Sequence, residues 1–262
     1  MNSQYTVISE FYDKLNSGVD YPGYAEFIDK IIKKYSFGIG GGNGIVVDLG
    51  CGTGNVTLEL ERLGYDMIGI DCSAEMLAAA ESKTQSSEFD ASRKERRKIL
   101  WLEQDIRSFE LYGTVDAAVS CLDSINYLPD VRSLNACFNT VNNYLNPNGL
   151  FIFDVNTPYK FENIYGNNDY ILEAERVFCG WSNYYNKKTG ICRFELSFFA
   201  ENDDGSYERY DETQRERCYS KKTIEKTLSE CGFEIIAVAA DFDMSEPEED
   251  CERWYYICRK NS

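Results

Sequence analysis

The stretch that decides the fold is Val46-Val47-Asp48-Leu49-Gly50-Cys51-Gly52-Thr53-Gly54-Asn55. An apolar strand ends on an acid, turns through three alternate glycines and opens a helix. Glycine lets the backbone turn tightly there and lie close to a ligand. In an open α/β sheet that ligand sits beyond the carboxyl end of the first strand, at the switch point. The spacing is G-x-G-x-G, with Asn55 where the dinucleotide fingerprint has its last glycine. Asp48 sharpens the distinction. A carboxylate beside a pyrophosphate would repel it, whereas beside an ammonium group it attracts.

Working outward, short apolar runs alternate with helical patterns. Strands are expected at 45–49, 66–70, 99–103, 115–121 and 150–155, and helices near 55–63, 74–87 and 132–145. That alternation predicts an α/β fold, a doubly wound, mostly parallel, seven-stranded Rossmann-like sheet. Upstream, Tyr5, Ile8, Phe11, Tyr12, Tyr24, Phe27, Ile28, Ile31 and Ile32 recur at helical spacing, so 3–35 reads as helical. The glycine-rich stretch 36–44 precedes the first strand and reads as a flexible linker. After Asp154 the rhythm changes. Residues 160–218 carry no helical period and read as three or four antiparallel strands, with turns at 186–190 and 202–205. A helix at 220–231 follows, with Ser220 as N-cap and Gly232 as its stop. Two last strands are expected at 233–240 and 254–259. The organisation expected is a main domain, 1–158 and 219–262, with N-terminal helices at 1–35. An antiparallel β insertion at 159–218 lies over the carboxyl end of the sheet as a substrate lid.

Composition narrows the chemistry. The 262 residues hold 27 Lys and Arg against 44 Asp and Glu, a net charge of −17. Nucleic acid and anionic membranes favour basic faces, so neither is expected as a partner. The absence of histidine excludes His-based triads, a histidine general base and histidine-ligated zinc. The ten cysteines show no C-x-x-C pair and read as reduced structural thiols, and no metal is expected. The first residues lack the basic and apolar regions of a signal peptide, and no apolar run is long enough to span a membrane. A cytoplasmic monomer or homodimer is expected.

Two further strand ends describe the ligand. Asp71 closes the second strand, where an acid accepts from both hydroxyls of a ribose. Gln104, Asp105 and Ile106 follow the third. A carboxylate there accepts from the exocyclic amine of adenine while Ile106 packs on the ring. Ammonium, ribose and adenine together describe S-adenosylmethionine.

The sequence resembles the class I S-adenosylmethionine-dependent methyltransferases. The resemblance lies in DLGCGTG at 48–54, GIDCSAEML at 69–77, LEQDIRSF at 102–109, CLDSINYL at 121–128 and LNPNGLFIFDV at 145–155. FYDKL and DYPGY near the start are similar to small-molecule members with a β insertion before the last helix, among them deoxyaminosugar N-methyltransferases. The resemblance implies that Gly50, Gly52 and Gly54 line the methionine portion and that Asp48 helps hold its amino group. It implies that Asp71 binds the ribose, with Cys72 and Met76 near the adenine. Gln104, Asp105 and Ile106 would then hold the adenine, Leu122 and Asp123 would face cofactor and substrate, and Tyr12 and Tyr24 would close over the methionine end.

The function this implies is methyl transfer to a nitrogen or oxygen of a small molecule, leaving S-adenosylhomocysteine. Methyl transfer runs mainly on proximity and alignment. Where the acceptor must lose a proton, the candidate bases are Asp123, Tyr127 and Asp154, with insertion tyrosines such as Tyr159 nearby. Two alternatives stay open: a protein or RNA methyltransferase, and a cofactor-binding regulator without activity. Asn156-Thr157-Pro158-Tyr159 looks like an amino-methylating box, but it follows the fifth strand and reads as chance. The basic run at 93–98 reads as a solvated loop.

Overall fold

The computed structural model describes residues 11–36, 44–85 and 98–261. Its elements in chain order are α1 (Tyr12–Leu15), α2 (Tyr21–Tyr35), β1 (Ile45–Leu49), α3 (Asn55–Arg62), β2 (Asp66–Asp71) and α4 (Ala74–Gln85). Next come β3 (Leu100–Glu103), β4 (Val115–Ser120), α5 (Val131–Tyr144) and β5 (Leu145–Asn156). The insertion holds β6 (Asp169–Ala174), β7 (Val177–Asn186), β8 (Ile191–Glu201) and β9 (Tyr207–Arg217), and α6 (Lys221–Glu230), β10 (Phe233–Ala239) and β11 (Arg253–Lys260) complete the chain.

Seven strands form one sheet in the order β10-β11-β5-β4-β1-β2-β3. The five strands from β3 to β5 pair in parallel. β11 lies antiparallel to both β5 and β10. The central strands are apolar on both faces because helices cover both. On one face Leu134, Phe138 and Val141 of α5 and Ile224 and Leu228 of α6 pack against Val47, Leu49 and Phe153. On the other, Phe27, Ile28, Ile31 and Ile32 of α2 and Leu60 of α3 pack against Val46, Val119 and Ile257. The chain order reverses between β1 and β4, so a crevice opens at the carboxyl ends of those two strands.

The second sheet has four antiparallel strands in the order β6-β7-β8-β9. Its inner residues Val177, Cys179, Leu196 and Phe198 pack with Phe11 and with Met76 of α4. The insertion and the N-terminal segment therefore meet over the crevice.

The helical run expected at 3–35 is two helices among the described residues. Asp20 accepts from Gly23 N at 2.9 Å and starts α2 afresh. Residues 3–10, most of the glycine-rich linker and most of the basic run fall outside the described residues. Where no helical period was expected, Lys160–Tyr165 forms a single π-helical turn. One turn carries no apolar repeat, so periodicity is blind to it. It is held by burial of Phe161 and Tyr165 against Phe194 and by Thr157 Oγ1, which accepts from Lys160 N at 3.2 Å. Asn156 and Thr157 are fully buried parts of this junction. No helix among the described residues is long and apolar enough to cross a membrane.

Candidate cofactor and acceptor cavity

The glycine turn departs from β1 through left-handed backbone at Gly50 (φ +70°), Gly52 (φ +54°) and Gly54 (φ +78°), a region that a side chain disfavours. The three differ in what surrounds them. A Cβ on Gly52 would meet nothing within 4 Å, because that position faces open space. One on Gly50 would approach Ser124 to 2.8 Å. One on Gly54 would come within 2.6 Å of the Trp101 ring and 3.0 Å of Ala80 Cβ. Gly54 is thus a packing glycine that lets α3 approach β3 and α4.

Asp71 ties the turn down. Its Oδ2 accepts from Gly52 N at 2.8 Å and its Oδ1 from Ser73 N at 2.9 Å. Asp48 is 1% exposed, and its Oδ2 accepts from Thr57 Oγ1 at 2.6 Å. Its Oδ1 is buried with no partner. Burial pushes the Asp48 pKa up to about 7, with Thr57 opposing and Asp71 adding to the rise.

Above the turn lies a cavity of about 1030 Å³. Ligand sites usually measure ~300–1,000 Å³, so there is room for a nucleoside cofactor and a small acceptor together. The glycine turn, Asp71, Met76 and Ile106 wall one side, and Trp181, Phe194, Leu196 and Phe198 of the insertion wall the other. Tyr12 closes a third side. Its neighbour Asp13 latches α1 to the turn, accepting from Thr53 Oγ1 at 2.6 Å and Asn55 Nδ2 at 2.8 Å and pairing with Lys83 Nζ at 2.5 Å.

At the far end the turn after β4 is strained. Leu122 and Asp123 have φ of +56° and +57°, unusual for residues with side chains. Asp154 of β5 compensates: Oδ2 accepts from Leu122 N at 2.8 Å and Oδ1 from Asp123 N at 2.7 Å. Arg253 of β11 bridges both acids, pairing with Asp154 and reaching Asp123 Oδ1 at 2.6 Å. Burial favours a neutral Asp123, but Arg253 and Lys160 outweigh it and hold the pKa below the ordinary carboxylate range.

The structure brings Tyr12, Asp48, Gly50, Gly52, Asp71, Cys72, Met76, Gln104, Asp105, Ile106, Leu122, Asp123 and Tyr127 onto this one cavity. Two expected cofactor residues, Gly54 and Tyr24, stand away from its wall, as do the candidate bases Asp154 and Tyr159. Gly54 packs under Trp101, as described. Tyr24 faces the other way, against Phe242 at 4.8 Å between ring centres and Tyr255 Oη at 3.4 Å. α2 buries that face on β11, so its phenol serves the core. Other expected residues carry partners unforeseen from sequence. Arg107 forks onto Asp105 through two 2.9 Å bonds from Nε. Gln104 Oε1 accepts from Glu110 N at 2.6 Å. Tyr127 Oη donates to Gln214 Oε1 of β9 at 2.9 Å. The expected nearby base Asp154 is committed to two amides and Arg253.

The cavity also contains residues that sequence reasoning missed: Ser124, Gln214, Glu216 and Arg253. Trp181 is one of the insertion aromatics that the sequence offered for a lid over the acceptor. Nothing local marked Glu216 or Arg253.

Three comparisons bear on this site. Residues 46–149 match the family model of the methyltransferase domain. The chain is 30% identical over 258 residues to "Putative methyltransferase YqeM" of Bacillus subtilis, covering 98% of this chain and 97% of that one. It is similar to a solved S-adenosylmethionine-dependent methyltransferase from Clostridium acetobutylicum, with a TM-score of 0.83 and 31% identity, covering 98% of this chain and 99% of that one. The sugar N-methyltransferase KedS8 from Streptoalloteichus sp. shares the fold, at a TM-score of 0.78 and 20% identity, over 100% of this chain and 96% of that one. The residues present fit the cofactor these names imply. Asp48 keeps a buried, unpartnered carboxylate oxygen for a cation, and Gly52 leaves open space where a side chain would intrude.

Proposed function

Because the chain belongs to the class I S-adenosylmethionine-dependent methyltransferases, we propose that it methylates a nitrogen or oxygen of a small molecule held between the glycine turn and the insertion. S-adenosylmethionine supplies an electrophilic methyl group on a sulfonium. Asp48 offers its unpartnered oxygen to the cofactor's ammonium group. Asp71, oriented by the amides of Gly52 and Ser73, turns its remaining lone pairs to the ribose hydroxyls. Ile106 and Met76 pack against the adenine, and Asp105, oriented by Arg107, accepts from its amine. Leu122 and Asp123 stand where the transferred group meets the acceptor.

The observation that carries the small-molecule reading is the roof. The inner face of β7, β8 and β9 walls the cavity with Trp181, Phe194, Leu196, Phe198, Gln214 and Glu216. An acceptor therefore sits inside a walled, largely aromatic space beside carboxylates. The shared fold with a protein titled a sugar N-methyltransferase is consistent with an amine acceptor.

The test is a panel of amines, amino sugars and phenols with methyl-labelled cofactor. Label transfer to one of these classes is expected. Transfer only to protein or RNA would replace the small-molecule reading. Tight cofactor binding without transfer to anything would leave a regulator.

A further inference from the structure

Glu216 has no role in the reading above, yet it is the acid that the insertion carries into the cavity. It is 3% exposed and lies on the same cavity as Gly50, Leu122 and Asp123. Its Oε2 accepts from Asn156 Nδ2 at 3.1 Å. The negative charge of Asp123 acts on it as well.

Charge counting says which acid is left without a cation. The charged groups at this end are Asp123, Asp154, Glu216, Glu252, Arg253 and Lys160. Four acids face two cations. Arg253 is held directly by Asp123 and Asp154, and Glu216 is left with the neutral amide of Asn156. Glu216 is therefore the acid whose charge the site compensates least and the one that keeps a proton most readily. The other titratable groups that sense it are Tyr165 of the π-helical turn and Cys192 of β8, both neutral at physiological pH because burial raises them. Burial, reinforced by the charge on Asp123, pushes Glu216 well above the ordinary carboxylate range.

Resting on the small-molecule reading, we propose that Glu216 is the proton acceptor of the methyl transfer. Glu216 first releases its resting proton to solvent; the acceptor's lone pair then bonds the methyl carbon, the carbon–sulfur bond breaks with its pair left on sulfur, and the acceptor's proton passes to the Glu216 carboxylate. Asp154 is poorly suited, since Arg253 and two amides occupy its oxygens, and Asp123 is held anionic by the Arg253 guanidinium on its Oδ1. A carboxylate of ordinary pKa is a weak base, and burial beside a second carboxylate strengthens it by raising its affinity for a proton. The insertion then brings chemistry to the site as well as a wall.

Two measurements test it. The first is kcat against pH, with the acceptor found by the panel. Wild type should rise with pH through an acid limb. Glu216→Gln should lose that limb and ~10²–10⁴-fold in kcat, with S-adenosylhomocysteine affinity within about twofold of wild type. Glu216→Asp should recover part of the rate and the limb, and Asp123→Asn should move the limb to lower pH by removing the neighbouring charge. The second needs no acceptor: infrared difference titration of the full chain should show a carboxylic-acid carbonyl band that Glu216→Gln abolishes. Retention of rate and limb in Glu216→Gln overturns the role and leaves the methyltransferase reading standing. Absence of the band in wild type overturns it as well. Wild type failing on the whole panel is the separate failure of the small-molecule reading, and the band then decides alone whether Glu216 holds the proton.

Discussion

Arg253 reaches Asp123 Oδ1 at 2.6 Å across 130 positions of chain. It also pairs with Asp154, which accepts from the amides of Leu122 and Asp123. Strand β11 thus holds the left-handed turn that borders the cavity. Removing one partner of a buried ion pair leaves the other charge uncompensated. Arg253→Met should therefore cost ~3–5 kcal/mol in urea unfolding, and Arg253→Lys should recover only part, because an ammonium lacks the fork that spans two acids.

Asp48 gives cofactor binding a pH dependence. Its pKa in the ligand-free fold is pushed up to about 7 by burial. A cationic ligand selects the ionised form, so affinity should fall as pH drops through this value and hold steady above it. Calorimetric titration of S-adenosylhomocysteine across that range checks the slope. Asp48→Asn should flatten it and weaken binding ~10–150-fold at alkaline pH, the worth of a charged hydrogen bond.

The glycines should separate by phenotype. Gly52→Ala meets no atom within 4 Å, so it should fold at a cost of ~1–2 kcal/mol for its left-handed backbone while losing cofactor affinity at least ~10-fold. Gly54→Ala adds a 2.6 Å collision with Trp101. It should lower Tm further, while the molecules that fold still bind cofactor. Paired Tm and Kd measurements distinguish the two.

Tyr24→Phe removes only the 3.4 Å contact with Tyr255 Oη. S-adenosylhomocysteine affinity should stay within about twofold, and stability should drop by no more than ~0.5–1.5 kcal/mol. A large affinity loss would return this residue to the cavity.

Asp13 should govern release. Its carboxylate is 40% exposed, so the pair with Lys83 is partly screened. Loss of the latch in Asp13→Ala should therefore raise the S-adenosylhomocysteine off-rate by only ~5-fold, or ~1 kcal/mol. Stopped-flow displacement reads that rate directly.

Much of this was legible in the chain because it is local. β1 must end in a tight glycine turn, since Gly50, Gly52 and Gly54 leave no other economical backbone. Asp48 and Asp71 must lie at that turn, because each closes a strand beside it. Ser220 and Gly232 frame α6 by cap chemistry alone. The acceptor end was not legible. Arg253, Asp154, Asp123 and Glu216 come from β11, β5, the turn after β4 and β9, and no periodicity relates residues so far apart. Alternation says which strand residues share a face, but not what that face meets. That is why Glu216 and Gln214 went unassigned, and why Tyr24 and Gly54 turned out to pack away from the cavity wall. By itself the sequence determined the sheet, the glycine turn and the cofactor, because hydrogen bonding and backbone sterics act between neighbours. Only the tertiary structure decided which acids are paired and which one is left to carry a proton, because burial and Coulomb forces act between whichever groups the fold brings together.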